Sequence, residues 1–126
     1  AVGNNLQMDV CIEPNIDVEF NETQLQRICD NSLSNAIKYS YENTTIQIEL
    51  KKSTQGIVLQ FLNHGENIQH CDKLFERFYR EDEARGGFGL GLNIIHEICT
   101  KNTVEIDVES NNHKTIFTYR FNKNKI

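Results

Sequence analysis

Asn31-Ser32-Leu33-Ser34-Asn35-Ala36-Ile37-Lys38-Tyr39-Ser40 is the stretch on which the reading of this chain turns. It closes a segment, residues 22–39, in which Leu25, Ile28, Cys29, Leu33, Ala36 and Ile37 recur at i, i+3 and i+4. That spacing predicts a helix with one buried stripe. Asn21, with Gln24 three residues on, predicts a variant of the capping box at its start. At about 100° per residue, Asn31, Asn35 and Lys38 share one side, turned away from the Leu25/Ile28/Cys29/Ala36 stripe. Asparagine amide oxygens are hard neutral ligands, suited to a Mg²⁺ that keeps most of its water. A lysine one turn on can meet phosphate oxygens. Taken alone, such a face is more often a solvated helix surface.

Strand signals flank this helix. Before it, Val10, Ile12, Ile16, Val18 and Phe20 alternate over residues 8–20, interrupted by Pro14, which predicts one or two short pieces at a sheet edge. After it, Ile46, Ile48 and Leu50 alternate with polar residues, Ser53–Gly56 turns, and Ile57–Leu62 forms a nearly continuous apolar run, as in a more buried strand. Residues 71–79 read as a short helix. Then come a charged stretch, Arg80–Arg85, and a glycine run ahead of a helix expected from about Leu92 to Lys101. Val104–Val108 and Ile116–Phe121 alternate around a turn at Asn111–Lys114. The order predicts an α+β fold, a two-layer sandwich with a mixed, mostly antiparallel sheet and helices on one face.

Three further segments carry chemistry. Gly86-Gly87-Phe88-Gly89-Leu90-Gly91-Leu92 places glycines just before a helix N-terminus, where free N–H groups and the helix dipole suit phosphate. It lacks the Gly-Lys-Ser/Thr of a P-loop, and no strand runs into it. Leu74-Phe75-Glu76-Arg77-Phe78-Tyr79-Arg80 pairs aromatics at i, i+3 with arginines at i, i+3; the alternatives are local core and surface charge. Phe61-Leu62-Asn63-His64-Gly65-Glu66-Asn67-Ile68 ends the buried strand with a tight turn at Gly65. There the Asn63 amide, both donor and acceptor, is placed to read a polar ligand edge.

The bulk numbers set limits. The 126 residues make one domain, 1–126, with 38% hydrophobic and 25% charged residues. A net charge of −5 and a pI near 5.3 argue against non-specific binding to nucleic acid or to a membrane surface. No apolar run approaches the roughly 20 residues of a spanning helix. The first residue is Ala1, so a fragment of a longer protein is expected. Cys11, Cys29, Cys71 and Cys99 are widely spaced and read as free thiols of a reducing compartment.

In this order and register the segments resemble the ATP-binding domain of sensor histidine kinases, in the GHKL superfamily. Asn31–Ser40 resembles the N box, Leu62–Ile68 the first glycine box, Leu74–Arg80 the F box and Gly87–Leu92 the second glycine box. The resemblance runs over residues 8–121. It implies that Asn35 ligates Mg²⁺, with Asn31 close to metal and phosphates, Lys38 on phosphate, and Tyr39 on the adenine or ribose side. Gly65, Ile68 and Phe75 fall within its nucleotide-binding boxes. It implies a lid over residues 79–91, shaped by Gly87, Gly89 and Gly91, with Phe88, Leu90 and Leu92 between them and Arg80 reaching the triphosphate. It further implies partners: the dimerisation helices carrying the phosphoacceptor histidine, and a response regulator. The implied location is cytoplasmic, within a kinase of a type often anchored in the membrane.

One departure stands out. The family's first glycine box begins with an aspartate that accepts from the adenine amino group; here Asn63 stands in that place, and Asn67 replaces the box's second glycine. A neutral acceptor forms roughly half as strong a bond as a charged one, a loss on the order of 1 kcal/mol. Asn67 is expected to tolerate a left-handed backbone. Asn31 stands where the hydrolysing relatives have a glutamate, so activation of water is not expected. His96 mimics the start of a phosphoacceptor motif but reads as a helix-face residue, and His64 and His70 read as surface residues beside the site. The alternative function is a nucleotide-free, kinase-like module that binds signalling partners.

Overall fold

The computed structural model describes residues 5–17, 20–54, 56–68 and 88–122. Seven elements follow one another: β1 (Gln7–Ile12), α1 (Glu22–Tyr39), β2 (Thr45–Ser53), β3 (Gly56–His64), α2 (Phe88–Lys101), β4 (Val104–Asn111) and β5 (Lys114–Asn122). The strands form a single sheet in the order β1-β2-β3-β5-β4. β1 runs parallel to β2, and every other pairing is antiparallel. α1 packs on β3 and on α2, and α2 packs on β4. The sheet is thus mixed, with its described helices over one face, as expected. The apolar run of β3 takes the centre because neighbours on both sides shield it. No helix among the described residues is long and apolar enough to cross a membrane.

α1 has the expected bounds. Its N-cap is Asn21, whose Oδ1 accepts from Gln24 N at 2.9 Å, so one of the helix's orphan donors is satisfied. One further expectation is met and one is corrected. Among the described residues, the alternation over 8–20 yields one short strand, Gln7–Ile12, at the sheet edge, within the one or two pieces expected. Asn15 takes a left-handed φ of 61°, which breaks the extended path one residue after Pro14. α2 begins at Phe88 rather than near Leu92, so Gly89 and Gly91 lie inside its first turns. Glycine lowers helix propensity by about 1 kcal/mol per residue, which hides such a start from propensity and pattern alone. The short helix expected at 71–79 lies outside the described residues.

The helix-side face of the sheet is built of rows running across the strands. Val10, Ile48, Phe61, Phe117 and Val108 align in one; Ile12, Leu50, Leu59, Tyr119 and Ile106 in the next; Ile57, Phe121 and Val104 in a third. Ile28, Ile95, Ile98 and Cys99 descend on these rows from the helices and are buried with them. Phe61 and Tyr119 meet edge to face at 6.2 Å. At the β1 edge the rows run out into solvent, with Val10 52% and Ile12 62% exposed.

One polar contact crosses this core. Ser32 Oγ of α1 and the hydroxyl of the fully buried Tyr119 lie 2.6 Å apart. Burial pushes the Tyr119 phenol upward, and the Ser32 hydrogen bond partly offsets that rise. Burial also pushes the Cys99 thiol from its ordinary 9.0 up to about 12. Cys11, Cys29 and Cys99 are free thiols.

At the far end of β3, Gly65 forms an isolated antiparallel bridge with Ser40, the residue after α1. A Cβ on Gly65 would stand 2.1 Å from the Tyr39 carbonyl oxygen. That obstacle is backbone and cannot swing aside, so only glycine fits. Gly65→Ala is expected to cost about 1–3 kcal/mol or more, measured by urea unfolding. A second prediction concerns pH. A thiol whose folded pKa is raised stabilises the fold fully below its unfolded value, and that contribution disappears as pH climbs through the folded one. Stability is therefore expected to fall between about pH 9 and about pH 12. Cys99→Ala should flatten that fall by up to about 1.4 kcal/mol per pH unit, read from urea midpoints across the range; an unchanged slope would refute the assignment.

Candidate functional site

The apolar stripe of β3 on the helix side, Ile57, Leu59 and Phe61, ends in Asn63. On β5 the stripe Phe121, Tyr119 and Phe117 ends in Thr115. On β4, Ser110 completes the row: Asn63 pairs with Thr115, and Thr115 with Ser110. A polar row thus closes the hydrophobic face, with Asn63 6% and Thr115 2% exposed. The last turns of α1 lie over it. Asn35, Ala36 and Tyr39 enclose a cavity with Asn63, Thr115, Phe117, Ile68 and Glu66. Its volume is about 20 Å³, so any ligand larger than a water molecule widens it on entry.

Hydrogen bonds hold the row and its rim. Ser110 Oγ accepts from Ile68 N at 2.7 Å and lies 2.8 Å from Thr115 Oγ1, where either hydroxyl can donate. The loop after β3 is stitched to the β4–β5 turn: Gly65 N donates to His113 O at 3.0 Å, and His113 N to Asn67 Oδ1 at 2.7 Å. Both central residues of that turn are left-handed, Asn112 at φ 51° and His113 at φ 59°, as a tight two-residue hairpin requires. The exit of α1 joins the same cluster. Tyr41 N donates to His64 O at 2.8 Å, and the Tyr41 hydroxyl lies 3.1 Å from His113 Nδ1.

The site therefore gathers Asn35, Tyr39, Asn63 and Ile68 of the residues singled out from sequence, and Gly65 stands against its Tyr39 wall. Asn31 and Lys38 do not line the cavity. Asn31 is half-buried, and Lys38 is exposed with its ammonium 5.7 Å from the Tyr39 ring centroid. Asn35 departs from the expectation that its helix side faces away from the buried stripe. It sits beside Ala36, and its Nδ2 is buried with no hydrogen-bond partner among the described residues. Asn67 is not left-handed; its side chain serves the turn instead. Phe88, Gly89, Leu90, Gly91 and Leu92 lie in the first turns of α2. Phe75, Arg80, Gly87 and His70 lie outside the described residues. His64 is half-buried beside the site, and His96 is exposed on α2.

Among the participants missed from sequence are Thr115, Ser110, Phe117 and His113. For Thr115 and Ser110 a signal existed. Each falls in the buried phase of an alternating strand, where a polar residue is out of place unless something bonds to it. His113 offered none, because its part is played by its backbone and by contacts distant in sequence.

The donor set suits a nucleotide with Mg²⁺. A buried amide without a partner costs about 1–3 kcal/mol, and a carboxamide is turned by its bonding partners, so the same group can offer its oxygen. Among the described residues no group of three or more His, Cys, Asp and Glu is arranged to hold a metal.

Comparison with known proteins bears on the family of the chain. Residues 20–125 match the model of the "Histidine kinase-, DNA gyrase B-, and HSP90-like ATPase" family. The phosphate regulon sensor protein PhoR of Haemophilus influenzae is 38% identical over 116 residues, covering 87% of this chain and 27% of that protein. The sensor protein VanSC of Enterococcus gallinarum is 34% identical over 125 residues, covering 94% of this chain and 34% of that protein. The chain thus spans about a third or less of these relatives. The catalytic domain of the histidine kinase ThkA, in a nucleotide-free form, superposes with a TM-score of 0.83 at 22% identity, covering 97% of this chain and 81% of that one. With its family model matched over nearly the whole chain and its fold shared with a kinase catalytic domain, the chain belongs to the histidine kinase-, DNA gyrase B- and HSP90-like ATPases.

Proposed function

We propose that this chain is the ATP-binding catalytic domain, residues 1–126, of a two-component sensor histidine kinase. In this reading it binds Mg-ATP and passes the γ-phosphate to a histidine on a separate dimerisation helix. The observation that carries the reading is that Asn35 Nδ2, buried without a partner among the described residues, shares one cavity with the polar row Asn63–Thr115.

The roles divide along α1. The base and ribose fall to the cavity, with Asn63 on the polar edge and Tyr39, Ile68 and Phe117 supplying apolar walls. Asn35 holds the metal, with Asn31 one turn before it on the same side. Lys38 offers its ammonium to phosphate oxygens from the exposed flank. Bound Mg²⁺ would neutralise charge on the triphosphate. Gly87, Gly89 and Gly91, with Phe88, Leu90 and Leu92, are assigned to the triphosphate lid, and Phe75 and Arg80 to its support.

Phosphoryl transfer to a histidine depends on positioning and charge neutralisation. The acceptor imidazole is itself the nucleophile, so the donor domain needs no carboxylate base. Asn31 cannot accept a proton, and hydrolysis is therefore slow beside transfer. The partners in this reading are the dimerisation helices of the same kinase and a response regulator. The location is the cytoplasm, with nucleic acid and direct membrane contact playing no part in this fragment.

Calorimetric titration with a non-hydrolysable ATP analogue tests the reading. Binding is expected to be tighter with Mg²⁺ than with EDTA, and Asn35→Ala should remove most of that difference, about tenfold or more, without lowering the melting temperature. Absence of binding under both conditions would move the nucleotide-free binding module to first place.

A further inference from the structure

The cavity reads its ligand with neutral groups that have no fixed polarity. Asn63 is 6% exposed, its side chain lines the cavity, and no hydrogen bond among the described residues fixes its amide in one orientation. A half-turn about its last torsion exchanges donor for acceptor at nearly constant shape. Its neighbour Thr115 is a hydroxyl bonded to a second hydroxyl, Ser110 Oγ, across 2.8 Å. Ser110 Oγ accepts from Ile68 N and still has its own proton to give. The Thr115–Ser110 bond can therefore run in either direction, and Thr115 can meet a donor or an acceptor. Among the described residues, the one carboxylate lining the cavity belongs to Glu66, an exposed residue.

A carboxylate at position 63 would be different in kind. It accepts only, so where it faces the 6-substituent itself rather than N1 it would favour a 6-amino purine and set acceptor against acceptor for a 6-oxo purine. Resting on the nucleotide-binding role proposed above, we infer that this site does not distinguish a 6-amino from a 6-oxo purine, with Asn63 as the specificity-determining residue. Inosine triphosphate, which differs from ATP in its 6-oxo group and in the proton this places on N1, without adding a 2-amino group, binds here alongside ATP, and guanosine triphosphate follows as far as the cavity admits that extra group.

The experiment is a pair of calorimetric titrations of the chain with the non-hydrolysable analogues of ATP and ITP in Mg²⁺, repeated on Asn63→Asp. The wild type is expected to bind both within about threefold of each other. The aspartate is expected to prefer the adenine nucleotide by about tenfold or more, the usual consequence of one mispaired buried polar group. A wild type that binds ATP but disfavours ITP by tenfold overturns this inference and leaves the nucleotide-binding role intact. A wild type that binds neither overturns both. The wild-type ratio decides the matter even if the aspartate, a buried charge, impairs folding.

Discussion

The site depends on one close approach between two stretches of backbone. The end of α1 and the end of β3 meet where Gly65 lies against the Tyr39 carbonyl, leaving no room for a Cβ. The Ser40–Gly65 bridge and the Tyr41 N–His64 O bond fasten the same junction. Asn35 and Tyr39 precede the junction on one chain segment, and Asn63 precedes it on the other. Fixing the junction therefore fixes the cavity roof against its floor. The loop beyond it, through Asn67 and Ile68, is held by the β4–β5 turn and by Ser110. Every described wall of the cavity is thus referred to the sheet.

The sheet explains why the site is neutral as well as where it lies. Three apolar rows cover the helix-side face, and the site begins where they stop. A residue in the next row is still nearly buried, as Asn63 and Thr115 show. An isolated charge there would lose its hydration and need a partner. Hydroxyls and an amide lose far less and can satisfy one another, as Ser110 and Thr115 do. The neutral floor is consistent with a ligand whose charge lies elsewhere, toward the exposed Lys38 flank, while its uncharged ring system lies inside.

Much of this was legible in the sequence, and the limits have physical causes. α1 was readable to the residue because its cap, period and exit agree. The strands β2 to β5 were readable because alternation is a local property. For β1 the edge position and the break at Pro14 were legible, and the left-handed Asn15 beside it was not. The start of α2 was missed because glycines within it carry no helical signal. Asn35 was placed on the correct helix, but its depth was misjudged: periodicity gives direction around an axis, whereas burial depends on what stands opposite. Thr115 and Ser110 were overlooked because their meaning comes from pairing across the sheet, between residues far apart in the chain.

The rotation of α1 links the core to the site. Ser32 faces inward to the Tyr119 hydroxyl at 2.6 Å, and Asn35 follows it by three residues. At about 100° per residue, three steps bring the chain to within about 60° of the same direction, so Asn35 sits at the edge of the buried face rather than opposite to it. A helix packed only by Ile28 and Ala36 could slide or turn by a fraction of a residue at modest cost, because apolar contacts are not directional. A hydrogen bond to a fully buried phenol does not tolerate that displacement, since both partners would be left unsatisfied in the core. The Ser32–Tyr119 bond therefore sets the angle at which α1 presents Asn35 to the cavity. A polar contact in the hydrophobic core, made by no residue of the site itself, contributes directly to the geometry on which binding rests.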